Sequence, residues 1–415
     1  MPARYRHRHS ARRVGAVSAS ESARSWRGVT AVAAWQVVAS ATYYAVFAAT
    51  SSFRDAYQLS GFEVGLVVSV MTLGYTLFLF PMGAVVDAYG DHPAMVGGLV
   101  GLAIGAAGVA ASGAGLPLAG TYPGLLVAVF VLGCAYATGM PATNRAVASR
   151  APRGRYNLAV GLKQVGVTAG SAVSAVFVTN TLIVPTWPAS FAVIAVVGFL
   201  VAAGYAVTFD GTGGSGRMEF PDIRAIAANR LLLVLSLAGF FLGAAVFTLT
   251  GYTVPYIEDA TRATTAFAGA TLALMQVSGS IGRIGAGSIA DRIRGTAERA
   301  SLRVLAVQVA VAAALFFALP EARGVWLLVV FAGLGLALLG FTGLYHGAVT
   351  ALAPEGKSGA ATAAGQITLN VGGLVVPPLF GLIADTAGYA LGWYLLGVGV
   401  AASTGMVVFA LVRYD

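Results

Sequence analysis

Two basic side chains, Lys163 and Arg283, stand inside long apolar stretches that contain no Asp or Glu. A cation placed in hydrocarbon costs at least ~2.5–3.5 kcal/mol, so each needs a compensating partner or a route to water. An anionic substrate would compensate both. Arg binds a carboxylate through two parallel hydrogen bonds, and Lys adds a compact point charge. The alternative is that both side chains reach back to the headgroups along their aliphatic stems. Neutral polar residues recur in the same kind of stretch: Gln36, Tyr43, Tyr44, Gln164, Tyr252, Gln276, Tyr345, His346, Gln366 and Asn370. Gln164, Gln366 and Asn370 could hydrogen-bond a substrate or simply join helices. Tyr43, Tyr44 and Tyr252 could line a cavity or anchor at the membrane interface. His346 could accept a proton or act as a hydrogen-bonded gate residue, and Asn144 stands at the corresponding place in the first half.

The elements that must position these groups are membrane helices. Charged residues make up 10% of the 415-residue chain and hydrophobic residues 58%, a balance that no water-soluble domain could bury. In lipid the backbone must satisfy its own polar groups, so the expected fold is all-α. Runs of roughly twenty apolar residues, enough to cross ~30 Å of hydrocarbon, can be drawn twelve times. They start near residues 28, 62, 93, 123, 156 and 188, then 231, 264, 301, 324, 358 and 389. The organisation expected is a basic tail (1–27), a six-helix half (28–208), a linker (209–230) and a second six-helix half (231–415). Gly211-Thr212-Gly213-Gly214-Ser215-Gly216 reads as a flexible linker, followed by an amphipathic stretch around Ile223. Spans 3, 6, 9 and 12 carry no charge in their cores and read as lipid-facing supports, which implies a wet cavity lined by the others.

Twenty of the 25 Lys and Arg residues fall on one side of this arrangement. Arg54, Arg262 and Arg323 fall on the other, and Lys163 and Arg283 lie within spans. That asymmetry predicts a multi-pass protein of the cell membrane with both termini cytoplasmic. The net charge of +9 follows from topology; no basic face with interleaved aromatics points to nucleic acid. Arg12-Arg13 lies too far from the first apolar run, and that run is too long, for a cleavable leader. Cys134 is the single cysteine, so no intrachain disulfide forms. No enzyme constellation, metal-ligand spacing, cofactor motif or nucleotide-binding loop stands out.

The halves echo each other. Ala151-Pro152-Arg153-Gly154-Arg155 precedes Gln164 and Gly170, and Ala353-Pro354-Glu355-Gly356-Lys357 precedes Gln366 and Gly372 at identical spacing. Met71, Gly83 and Asp87 are matched by Met275, Gly287 and Asp291. An apolar chain built from two related halves is the plan of a secondary transporter, with the substrate site between them.

These motifs resemble the major facilitator superfamily over nearly the whole chain. The loop signature Gly-x-x-x-Asp-x-x-Gly is matched by Gly83-Ala-Val-Val-Asp87-Ala-Tyr-Gly90 and echoed by Gly287-Ser-Ile-Ala-Asp291-Arg292-Ile-Arg294. Asp91-His92 depart from the pattern, standing where basic residues are usual. The resemblance implies that Asp87 and Asp291, with Gly83, Gly287 and Arg292, latch the cytoplasmic side; the plainer reading is that each Asp ends a helix. Gly282-Arg283-Ile-Gly-Ala-Gly287 is similar to the eighth span of monocarboxylate and oxalate/formate carriers, which implies that Arg283 holds a substrate carboxylate. The stretch Pro377-Pro378…Gly381-Leu-Ile-Ala-Asp385-Thr-Ala-Gly388 is similar to organic-anion carriers as well. Spans 5 and 8 adjoin in that family, which would bring Lys163 and Arg283 together. The function expected is alternating-access transport of a small organic anion by a monomer, through proton symport or anion exchange. An exporter of neutral or acidic compounds is the alternative, and a membrane sensor a further one.

Overall fold

The computed structural model describes residues 19–115, 120–152, 155–218, 229–294, 296–353 and 358–413. The tail up to residue 18, Arg153 and Gly154, residues 354–357, and the stretch around Ile223 lie outside the described residues. The first half comprises α1 (Ala19–Ala48), α2 (Thr50–Tyr57), α3 (Gly61–Tyr89), α4 (Asp91–Gly113), α5 (Tyr122–Tyr136), α6 (Gly139–Arg150), α7 (Tyr156–Thr179) and α8 (Trp187–Thr208). The second comprises α9 (Arg230–Thr261), α10 (Thr265–Arg292), α11 (Ala297–Ala318), α12 (Val325–Leu334), α13 (Thr342–Ala351), α14 (Ser358–Ala387) and α15 (Tyr389–Val412). Because α1 begins at Ala19, residues 19–27 of the expected tail are helical.

Eleven helical segments among the described residues are long and apolar enough to cross a membrane. The twelfth crossing is α10. Its 28 residues span about 42 Å, but Gln276, Ser278, Ser280 and Arg283 lower its hydropathy. A helix that lines a wet seam can carry such residues where a lipid-facing one cannot.

Side-chain caps start several helices. Ser60 and Glu63 form a reciprocal capping box at α3, while Thr121, Asn229, Thr264 and Thr296 accept first-turn N–H groups of α5, α9, α10 and α11. Spans 4 and 10 both break midway. The fourth is divided between α5 and α6, where Pro141 cannot supply an N–H to the carbonyl four residues back. The tenth passes through a π-helical turn, Gly335–Leu339, between α12 and α13.

Packing repeats the internal symmetry. α1 lies on α7 as α9 lies on α14; α4 pairs with α8 as α11 pairs with α15. The matched glycines have a common cause: a Cβ at Gly170 would stand 2.2 Å from the Val37 carbonyl oxygen, and one at Gly372 would stand 2.0 Å from that of Phe240. Two seams join the halves, α3 with α14 and α7 with α10.

The face carrying Arg145, Arg150, Arg292 and Arg294 is termed the basic face, and the opposite one the far face. Cross-half hydrogen bonds among the described residues concentrate at the far face. Thr50 donates to the Gly251 carbonyl (2.8 Å) and Ser69 to that of Leu374 (2.6 Å). Pro378 has no N–H to offer Leu374, which leaves that carbonyl free for Ser69. Tyr252 donates to the carbonyls of Gly61 and Pro377. At mid-depth, Ser280 bonds Thr168.

The glycine-rich segment after α8 is docked, contrary to its reading as a free linker. Asp91 is fully buried. It pairs with Arg150 at 2.7 Å and accepts the Thr212 N–H at 2.6 Å. Ser215 N donates to the Asp87 carbonyl, and Arg145 reaches Thr212 and Gly213. The departure at Asp91 is therefore a structural anchor: a carboxylate there holds the α3–α4 turn, α6 and the linker together.

Candidate functional site

A cavity of about 320 Å³ lies between the halves, on the basic side of the Ser280–Thr168 bond. Lys163 is five residues and Arg283 three residues from that bond toward the basic face, which places them ~7.5 and ~4.5 Å along their helices. Both line the cavity. Lys163 is 4% exposed, and its Nζ donates to Asn144 Oδ1 at 2.6 Å. It therefore does not reach the headgroups in this state. Arg283 donates to the Leu339 carbonyl at 3.3 Å, an oxygen in the π-helical turn of span 10, and its buried Nε has no partner among the described residues. The ion pairs among the described residues involve neither cation. Two positive groups thus share one low-dielectric space, held only by neutral oxygens.

Gln164, His346 and Gln366 complete the polar wall. Gln366 donates to Asn370 Oδ1 at 2.9 Å. Asn370 is fully buried behind it, and its Nδ2 has no partner among the described residues. The buried Nδ1 of His346 likewise has no partner among the described residues. Such orphaned polar atoms are costly unless a ligand or water meets them.

The opposite wall is aromatic. Tyr43 stacks on Tyr136 with ring centroids 4.1 Å apart and meets Tyr44 edge-on at 5.4 Å; Tyr75 closes the group at 5.7 Å from Tyr136. The Tyr43 hydroxyl is buried. Tyr136 is tied to Ser40 (3.1 Å), and Gln36 donates to Ser40 at 3.0 Å. Sequence reasoning had singled out Tyr43 and Tyr44 but missed Tyr75 and Tyr136. Tyr136 borders the break in span 4, and that break is the signal that could have found it.

Other sequence expectations fall elsewhere. Tyr252 is not in this cavity: its hydroxyl points to the far face and fastens α9 to α3 and α14 by donating to two carbonyls that converge there. Asn144 accepts the Lys163 ammonium. Asp87 faces Arg145 of its own half at 3.7 Å, while Asp291 and Arg292 are exposed. Gly83 and Gly287 have open space beside them. In this state the expected latch residues do not bridge the halves.

The sequence model of the Major Facilitator Superfamily matches residues 32–377. The chain belongs to the major facilitator superfamily. It is a multi-pass membrane transporter of that family, whose members are not enzymes. A hexuronate transporter of Bacillus subtilis (strain 168) is 22% identical over 380 residues, covering 87% of this chain and 88% of that protein. A bacterial homologue of the human lysosomal transporter Spinster, crystallised inward-facing and occupied, is similar with a TM-score of 0.70 and 14% identity, covering 94% of this chain and 96% of that one. The nucleoside transporter NupG, as a point mutant, gives a TM-score of 0.77 at 12% identity, covering 92% of this chain and 99% of that one. At these identities the solved structures establish the major facilitator fold alone.

Proposed function

We propose that this major facilitator transporter carries a small organic anion, with Arg283 and Lys163 as the pair that binds its carboxylate. The single observation behind this reading is that both cations are held in one cavity by a neutral amide and a backbone carbonyl. A substrate carboxylate supplies the missing charge, and by touching α7 and α10 it draws the halves together. Gln164, Gln366 (backed by Asn370) and the hydroxyls of Tyr43 and Tyr44 bind the rest of the molecule. The hexuronate relative favours a sugar acid, whose hydroxyls suit these groups and whose carbon face suits the tyrosines. A volume of about 320 Å³ is at the small end of ligand sites, in keeping with a metabolite.

The excess of Lys and Arg supports a cytoplasmic basic face, and with it cytoplasmic termini and an inward-open state. In the opposite state Asp87, Asp291 and Arg292 close the basic face, with Gly83 and Gly287 admitting the approaching helices. Each half lines the cavity, so one chain holds a complete site and acts as a monomer. Proton symport, with His346 as a proton acceptor, and anion exchange are the two driving forces that fit.

Purified protein in liposomes should take up glucuronate and leave glucose outside. A pH gradient drives uptake if protons are coupled; internal glucuronate drives it if anions exchange. Arg283→Gln should weaken glucuronate binding by about 10- to 100-fold, since hydrogen bonds to charged groups contribute ~1.5–3 kcal/mol. Unchanged binding in that variant would remove Arg283 from the site. Equal uptake of glucose would favour the second reading, a carrier of neutral or acidic compounds, to which the four-tyrosine wall is suited.

A further inference from the structure

Span 9, formed by α11, carries a single polar side chain between Val304 and Ala318, that of Gln308. An amide in hydrocarbon is costly unless it finds a partner. Gln308 finds one in the π-helical turn of span 10, where its Nε2 donates to the Leu336 carbonyl at 3.4 Å. Its Oε1 is buried and has no partner among the described residues, so the amide forgoes its acceptor side to make that contact. A π-helical turn shifts the backbone ladder by one residue, and carbonyls left over by the shift need other donors. Side chains from two neighbouring helices supply them here. Arg283 of α10 takes Leu339, and Gln308 of α11 takes Leu336.

The Leu336 carbonyl is also where the turn meets α10. A Cβ at Gly282 would stand 2.0 Å from that oxygen, and one at Gly340 would stand 2.2 Å from it and 3.0 Å from Gln308 Nε2. A side chain at either glycine would force amide, carbonyl and α10 apart. Gly282 directly precedes Arg283, and Gly343, one turn past Leu339, lies along the Arg283 stem, with a Cβ there 3.8 Å from Cγ. Span 10 thus touches the backbone beside Arg283, its stem and its guanidinium. We propose that Gln308 is a positioning residue, which fixes the π-helical turn and through it aims the Arg283 guanidinium into the central cavity. This role rests on the reading of Arg283 as a carboxylate ligand. Leu339 takes one of the guanidinium N–H groups and so sets the direction of the others. Two parallel hydrogen bonds to a carboxylate tolerate little rotation of the fork, so a tether three residues away on the same turn is felt at the binding site.

The test compares full-length wild type in nanodiscs with Gln308→Met, which keeps the side chain's length and removes its N–H. Without substrate, hydrogen exchange across residues 335–343 should run about three- to tenfold faster in the variant, the size of one neutral hydrogen bond. Unchanged exchange would overturn the tether whatever the cargo. Glucuronate should bind about three- to tenfold more weakly, with the melting temperature held because the orphaned Oε1 leaves with the amide. In an Arg283→Gln background the same substitution should cost no further affinity, since its effect runs through the guanidinium. An equal loss in both backgrounds would overturn the positioning role, as would wild-type binding by Gln308→Met while Arg283→Gln is impaired. Full glucuronate binding by Arg283→Gln alone would instead overturn the anion reading, and with it the tether's part in binding.

Discussion

Lys163 and Asn144 show how one neutral contact sets the character of the central site. The Asn144 amide oxygen accepts from the ammonium at 2.6 Å but leaves its positive charge unopposed. A carboxylate at the same place would change that. Asn144→Asp should form an internal ion pair with Lys163 and lower the affinity for an anionic substrate by about tenfold or more, because the substrate then competes with a fixed neighbour. Titration calorimetry or a thermal-shift series with glucuronate would read this. Unaltered affinity would mean that Lys163 takes no part in anion binding. Lys163 and Arg283 were legible in the sequence because a charge within an apolar run has so few explanations. Their partners were not, since an asparagine in span 4 and a carbonyl in a π-helical turn carry no mark of what they will touch.

Among the helices, small residues at matched positions decide how closely each half packs. Gly170 and Gly372 sit where a Cβ would meet backbone of the partner helix at 2.2 and 2.0 Å. Gly170→Ala should therefore destabilise the protein by about 1–3 kcal/mol, visible as a lower melting temperature in detergent. Gly83→Ala meets open space and should hold or raise stability, by up to ~1 kcal/mol from helix propensity. Equal melting temperatures for the two variants would contradict this packing account. The repeat itself pointed to these glycines, yet composition hid their importance: with 54 glycines in the chain, a glycine match is weak information until a neighbouring helix is seen against it. Span 10 makes the converse point. Its π-helical turn has no proline to announce it and lies close against α10, with a Cβ at Gly282 standing 2.0 Å from the Leu336 carbonyl oxygen.

For the molecule as a whole, the halves are joined at the far face and along two seams, with the central cavity beyond them on the basic side. Transport then requires the far-face contacts to part. Arg54 and Asp259 pair across the far face at 2.6 Å. Cysteines at these two positions, joined through disulfides by a short bis-methanethiosulfonate cross-linker in a Cys134→Ser background, should arrest transport in liposomes while leaving binding from the basic face intact. Reductive release of the linker should restore transport. Undiminished transport in the cross-linked protein would show that this face does not open during the cycle.

Composition, apolar run length and the internal echo were enough to determine a twelve-span helical protein in two related halves, because a bilayer permits few other ways to satisfy a backbone. The unpaired Lys163 and Arg283 were likewise evident, since charge in an apolar run is conspicuous in one dimension. Tertiary structure decided what depends on neighbours remote in the chain. It moved Tyr252 to the far-face seal, brought Tyr75 and Tyr136 into the cavity, made Asp91 an anchor for the glycine-rich linker, and set Asp259 on Arg54 and Asp385 on Gly61 across the divide between halves. Hydrogen bonds reach only a few ångströms, so residues more than 190 positions apart, as Gly61 and Tyr252 are, acquire a shared role only when the helices carrying them have packed.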